Sequence, residues 1–173
     1  MFKNPEISHR AKVRKLEYKE FMKKTLIYGI GNPLRTDDTV GIKISEELKK
    51  QIKDTNTTIK SGSIDGLALL DEIVGFDRLI LIDSIKTKNG KPGDIYWIKL
   101  DPIKELPNLS VSHGINFITA LKIGKKLGYT MPKKITIYAI EVEDNISFNE
   151  DCTEKVKRSM PKVVARIIKE ITK

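Results

Sequence analysis

The sequence predicts an α/β fold, a three-layer α/β/α sandwich built on a mostly parallel, twisted sheet with one antiparallel edge strand. Three observations predict it. Short apolar runs rich in Ile, Leu and Val recur from residue 25 onward, and punctuating Gly or acidic residues follow several of them. Between the runs lie segments whose apolar residues fall three and four apart, as one face of a helix requires. The two patterns alternate at the spacing of βαβ units, which lay strands side by side in parallel with helices on both faces.

The elements follow in chain order. Residues 25–31, TLIYGIG, are almost continuously apolar and read as a strand buried on both faces. Residues 40–52 place Val40, Ile44, Leu48 and Ile52 four apart among Lys and Glu, which makes an amphipathic helix. Residues 57–61 read as a second strand, and 67–74 as a second helix, opened by Asp65 as a cap and closed near Gly75. RLILIDSI, 78–85, is the clearest interior strand, and DIYWIKL, 94–100, alternates as an edge strand does. Residues 113–128 are expected to be helical with Ile115, Ile118, Leu121 and Leu127 inward. KITIYAIEV, 134–142, gives another strand, and 153–171 a last helix with Val156, Met160, Val163, Val164, Ile167 and Ile171 on one stripe.

A chain of 173 residues is the size of one domain. Residues 1–24 are expected to form a basic N-terminal extension, helical or flexible, and 25–173 the single globular domain. With 39% hydrophobic and 32% charged residues, the composition fits neither a disordered chain nor a membrane protein. Its apolar runs fall far short of the ~20 residues that span a bilayer, so no membrane insertion is expected. One cysteine, Cys152, and no signal-peptide pattern point to a cytoplasmic protein. The net charge of +9 invites a nucleic-acid reading. Eight Lys or Arg against three Glu in residues 1–24 account for much of that excess, and no nucleic-acid partner is expected.

In doubly wound sheets ligands sit beyond the carboxyl ends of the strands, where the strand order reverses. The loop after the first strand reads Gly31-Asn32-Pro33-Leu34-Arg35-Thr36-Asp37-Asp38. It lacks the third glycine of a dinucleotide fingerprint, and paired aspartates at a helix start oppose a phosphate. Such a loop suits a cation, or the aspartates simply cap the helix. Asp83 follows the run LILI, where a charge is costly without a partner. His113 opens a later helix, and Asp38, Asp83 and His113 would meet at one sheet edge as a ligand set for a divalent metal. Asp65 and Ser63 cap a helix or line the same cleft. Glu141, Glu143 and Asp144 form an acidic rim or a solvated loop. Cys152 has no neighbouring base, and no serine-hydrolase elbow is present.

Five blocks, GIGNPLRTDDTVG, SGSIDGLALLDEIVGFDRLILIDSI, GKPGDIY, SVSHG and IYAIEVED, occur in an order that resembles the hydrogenase maturation endopeptidases, in particular archaeal-type members. The resemblance runs from residue 25 to the C-terminus and implies a twisted sheet between helices. It implies a peptidase that clips a C-terminal extension from the large-subunit precursor of a nickel-containing hydrogenase after nickel insertion. On that resemblance Asp38, Asp83 and His113 contact the metal; either Asp38 or Asp37 would then activate the attacking water, or the nickel would polarise the carbonyl. Gly31, Asn32 and Asp65 line the cleft. The nickel is carried by the precursor, or another divalent metal occupies the same ligands. Thr39, where glycine is common, the added Asp65 and residues 1–24 depart from the family pattern.

Two rivals share these residues. A magnesium-dependent phosphoacceptor receiver also uses an acidic pair and an aspartate after the third strand. Here, however, six residues, 32–37, separate Gly31 from Asp38, and the fifth strand ends in acidic residues where a receiver has lysine. A non-enzymatic nickel-delivery protein would use the same three ligands.

Overall fold

The computed structural model describes residues 23–100 and 114–172. Residues 1–22 of the expected extension 1–24, and residues 101–113 with His113, lie outside the described residues. Five strands, β1 (Thr25–Ile30), β2 (Thr57–Gly62), β3 (Arg78–Ile85), β4 (Ile95–Leu100) and β5 (Lys134–Glu141), form one sheet in the order β2-β1-β3-β5-β4. All neighbouring pairs are parallel except β4 against β5. The order reverses at β1, which lies between β2 and β3, so the crevice of this sheet opens beyond the carboxyl ends of β1 and β3.

Because successive strand residues point to opposite faces, the sheet builds two cores. Ile27, Ile80, Ile82, Tyr138 and Ile140 pack against α1 (Val40–Gln51) and α4 (Glu154–Ile171). Leu26, Tyr28, Ile30, Leu79, Leu81, Ile135 and Ile137 form a second core with α2 (Ala68–Ile73) and α3 (Gly114–Lys126). The three layers expected from the strand and helix pattern are present. Val40, Ile44 and Leu48 of α1 are fully buried, as their spacing of four requires. Among the described residues no helix is long and apolar enough to cross a membrane.

One expected core position fails. Leu127 is 60% exposed, whereas Phe117, Ala120 and Leu121 are buried. The inward stripe of α3 runs through 117, 121 and 124, and Leu127 lies about 80° from its centre at 100° per residue, after the helix has ended. Gly124 continues the stripe instead, because a Cβ there would stand 2.6 Å from the Met131 sulfur and 2.7 Å from Leu70 Cδ1.

α1 lies unusually close to the sheet. A Cβ on Gly41 would overlap the Ile30 carbonyl oxygen and stand 2.6 Å from that of Ile82. The helix that leads out of the site loop is thereby pressed onto the β1/β3 junction. At the amino ends of the strands a polar latch ties α4 to the sheet. Arg78 Nη2 donates to Glu170 Oε1 at 2.5 Å, Thr136 Oγ1 to the same oxygen at 2.9 Å, and Tyr138 Oη to Oε2 at 2.5 Å. Burial raises the Glu170 pKa, but the donors from Tyr138, Thr136 and Arg78 outweigh it, and the carboxyl sits below its usual range. Burial, then the bond to Glu170, pushes the Tyr138 hydroxyl up.

Gly41→Ala is expected to cost about 2–3 kcal/mol of unfolding free energy in urea, since backbone oxygens cannot yield as side chains do. A Gly41→Ala protein as stable as wild type would contradict the close approach. A carboxyl with a lowered folded-state pKa contributes stability that is present above its unfolded pKa and lost as pH falls through the folded value. Glu170→Gln should therefore flatten the acid limb of a stability-versus-pH profile below about pH 4.5. An unchanged acid limb would show that Glu170 does not carry it.

Candidate functional site

The chain leaves β1 through Gly31, where a Cβ would collide with the Asp38 carbonyl oxygen. Glycine is what lets the loop fold back on itself. Asn32 Oδ1 accepts the Leu34 N–H at 3.0 Å, and the Asn32 N–H donates to Asp38 Oδ2 at 3.0 Å. A short 3-10 turn, Asp37–Thr39, then leads directly into α1.

Asp37 and Asp38 diverge within that turn. Asp37 is fully buried. Its Oδ2 accepts the N–H groups of Glu143 at 2.9 Å and Asp144 at 3.0 Å and the Thr153 hydroxyl at 3.1 Å, while Oδ1 accepts the Thr153 N–H at 2.6 Å. Four donors from the β5–α4 connection thus surround one carboxylate. Asp38 is only partly buried and keeps about half of its acceptor capacity, with one donor on each oxygen: Asn32 N–H on Oδ2 and the Ser84 hydroxyl on Oδ1 at 2.6 Å.

Ser84 connects Asp38 to Asp83. Its N–H donates to Asp83 Oδ1 at 2.8 Å while its hydroxyl holds Asp38. Strand alternation sends Ser84 to the face of α1, beneath Asp38, and Asp83 to the face of α3, the helix that follows His113 in sequence. Both Asp83 and Ser84 are buried. The structure therefore brings Gly31, Asn32, Asp38 and Asp83 together at the β1/β3 switch point. His113 lies outside the described residues, and among those residues no three His, Cys, Asp or Glu side chains form a metal-ligating group.

The remaining candidates hold loops. Asp65 is exposed and caps α2, its Oδ1 accepting the N–H groups of Leu67 at 3.0 Å and Ala68 at 2.8 Å. Glu141 is buried and accepts the Thr87 N–H at 2.7 Å and hydroxyl at 2.9 Å, fixing the chain after β3. Glu143 pairs with Lys155 at 2.7 Å on the surface. Asp144 closes a turn, and hydrogen bonds from Ser147 and Ile146 bring its pKa down to about 2. Burial, reinforced by the Asp37 charge, pushes the Cys152 thiol up to about 11, which leaves it a poor nucleophile. Sequence reasoning did not single out Ser84. The available signal was a hydroxyl in the otherwise apolar interior strand RLILIDSI, directly after its aspartate.

The model of the family described as "Hydrogenase maturation protease" matches residues 42–170, which contain Asp83, Ser84 and His113 and begin four residues after Asp38. The hydrogenase 2 maturation protease of Escherichia coli (strain K12) is 26% identical over 149 residues, covering 83% of this chain and 90% of that protein. The hydrogenase expression/formation protein HupD of Rhizobium leguminosarum bv. viciae is 24% identical over 149 residues, covering 84% of this chain and 73% of that protein. Among solved structures, the hydrogenase maturating endopeptidase HybD from E. coli aligns with a TM-score of 0.71 at 24% identity, over 86% of this chain and 92% of that one. The [NiFe] hydrogenase maturation protease HycI from Thermococcus kodakarensis KOD1 aligns with a TM-score of 0.65 at 24% identity, over 87% and 94%. These structures share the fold, including the antiparallel edge strand on an otherwise parallel sheet. With the family model matching well over half of its length, the chain belongs to the hydrogenase maturation proteases, peptidases that process the C-terminus of hydrogenase large subunits.

Proposed function

We propose that this peptidase removes the C-terminal extension of a nickel-iron hydrogenase large-subunit precursor after nickel insertion, and that Asp38, Asp83 and His113 recognise the nickel the precursor carries. The observation that carries this reading is the Ser84 bridge, which links the Asp38 carboxylate of the β1–α1 loop to the Asp83 carboxylate of β3 at one switch point. A partly buried carboxylate with unused lone pairs next to a buried one is a hard donor pair, and an imidazole makes the set borderline, as nickel accepts. Nickel is substrate here. Its capture by these ligands would set the neighbouring peptide bond at a fixed distance from Asp38, so that the metal content of the precursor is checked by the same contacts that position the cut.

Asp38 is also the carboxylate placed to take a proton from the attacking water, because the lone pairs of Asp37 already serve four donors. Asp37 then acts by shaping the loop. In this reading the two adjacent aspartates divide the work, one facing substrate and one facing the fold. The loop's suitability for a cation fits a metal that arrives with the substrate as well as one bound beforehand, and metal-free enzyme acting on nickel-loaded precursor separates the two.

Mass spectrometry of the nickel-loaded precursor should show wild-type enzyme shortening it and leaving the nickel-free precursor intact. Asp38→Asn is expected to slow cleavage on the order of 10²–10⁴-fold, and Asp83→Asn or His113→Ala about 10–100-fold. Undiminished cleavage by both Asp38→Asn and His113→Ala would remove the proposed ligand set. The neighbouring variant should behave differently: Asp37→Asn is expected to lose about 3 kcal/mol in urea unfolding, because it places an amide against buried donors. Asp38→Asn should unfold close to the wild-type midpoint. Equal stability of Asp37→Asn and wild type would contradict the structural role of Asp37.

A further inference from the structure

Seven large apolar side chains stand exposed among the described residues, and four of them, Leu34, Leu67, Ile146 and Phe148, sit on loops that follow β1, β2 and β5. That is the sheet edge of Asp38 and Asp83. Of the other three, Trp97 lies under the Arg166 guanidinium at 4.0 Å and the Lys99 ammonium at 4.6 Å. Leu127 and Tyr129 follow α3 at the opposite edge.

Phe148 is 83% exposed and Ile146 76%, yet their loop is not a loose one. The Thr36 N–H and hydroxyl both donate to the Ser147 carbonyl, at 3.1 and 2.9 Å, and the Asn149 N–H donates to the Leu34 carbonyl at 3.1 Å. Arg35 and Phe148 form an antiparallel bridge, so the two loops make a miniature ribbon. Asp144 accepts the N–H groups of Ile146 and Ser147 at 2.9 Å each, and Asp37 holds the base of the same loop. With its backbone committed to these bonds, the ribbon cannot fold its apolar side chains inward without breaking them. A frame that holds a phenylalanine in water presents it to a partner and lowers the ordering cost of binding.

We propose that Leu34, Ile146 and Phe148 form a docking lip that seats an extended apolar segment of the hydrogenase large-subunit precursor beside the bond to be cut. The proposal rests on the peptidase reading of the Asp38 site and names where that site's substrate is gripped. Continuity with the site commits it to this occupant. Leu34 lies four residues from Asp38, at most about 14 Å of chain, so a segment on the lip reaches the acid site within a few of its own residues. Asp37 braces the site loop and the lip loop together, which keeps the grip and the cut in fixed register.

Steady-state cleavage of nickel-loaded precursor tests this with Phe148→Ser and Ile146→Ser, and with Tyr129→Ser as a change to an exposed aromatic at the far edge. Phe148→Ser is expected to raise KM about tenfold, the loss of one buried aromatic contact, with a much smaller change in kcat. Tyr129→Ser should keep the wild-type KM, and urea midpoints near wild type would show that all three variants are folded. Wild-type KM in both lip variants overturns the lip and leaves the peptidase reading standing. If wild type binds the precursor without cutting it, the peptidase reading fails, and a roughly tenfold weaker titration by Phe148→Ser still supports the lip. Equal binding by variant and wild type, or no binding by wild type, overturns it. So does a wild-type dimer in sedimentation that Phe148→Ser dissociates, since the occupant would then be a second copy of this chain.

Discussion

One buried carboxylate orders the functional edge of this sheet. Burying a charge costs several kcal/mol unless donors replace the lost water, and Asp37 receives four from Glu143, Asp144 and Thr153. Thr153 is the residue before α4, so the negative charge also sits at that helix's positive end. The β1–α1 loop and the β5–α4 loop are far apart in sequence. Asp37 joins them at their base, and the Thr36–Ser147 and Asn149–Leu34 hydrogen bonds continue the junction outward.

That constraint explains why two adjacent aspartates do different chemistry. Successive residues of a 3-10 turn point about 120° apart, so a turn that drives Asp37 into the protein turns Asp38 out toward the crevice. Gly31 and Gly41 allow the turn to press against the sheet. Ser84 meets it from below, and the hydroxyl that orients Asp38 belongs to the residue whose N–H holds Asp83. Precision at the site is thus inherited from β3, a central strand paired on both sides, and not from the loops alone.

The strand limits and the two-sided core were legible because hydrophobic period and length leave few alternatives for runs such as RLILIDSI. Leu127 was misplaced because a stripe read by spacing does not show where a helix ends, nor that a glycine can hold a contact position. At the site, the identity of the acidic loop was legible and its internal division was not. Nothing in the letters Asp-Asp says which carboxylate meets the N–H groups of a loop more than one hundred residues away. Asp65 is resolved as a helix cap, a local matter of two N–H groups within three residues. Glu141 looked like a rim group because its partner, Thr87, lies across a strand pair.

The two ends of the sheet are stabilised by opposite strategies, and the difference bears on function. At the amino ends, Arg78, Thr136 and Tyr138 converge on Glu170, and the Arg78 and Glu170 charges satisfy each other within the protein. At the carboxyl ends, Asp38 keeps lone pairs unused, and Leu34, Ile146 and Phe148 keep apolar surface in water. Both are unfavourable for an isolated monomer, and both become favourable when a partner brings a cation and an apolar segment. A fold that tolerates this must be anchored elsewhere. The Glu170 latch and the close seat of α1 on the sheet supply that anchor, leaving the working edge free to be completed by what binds it.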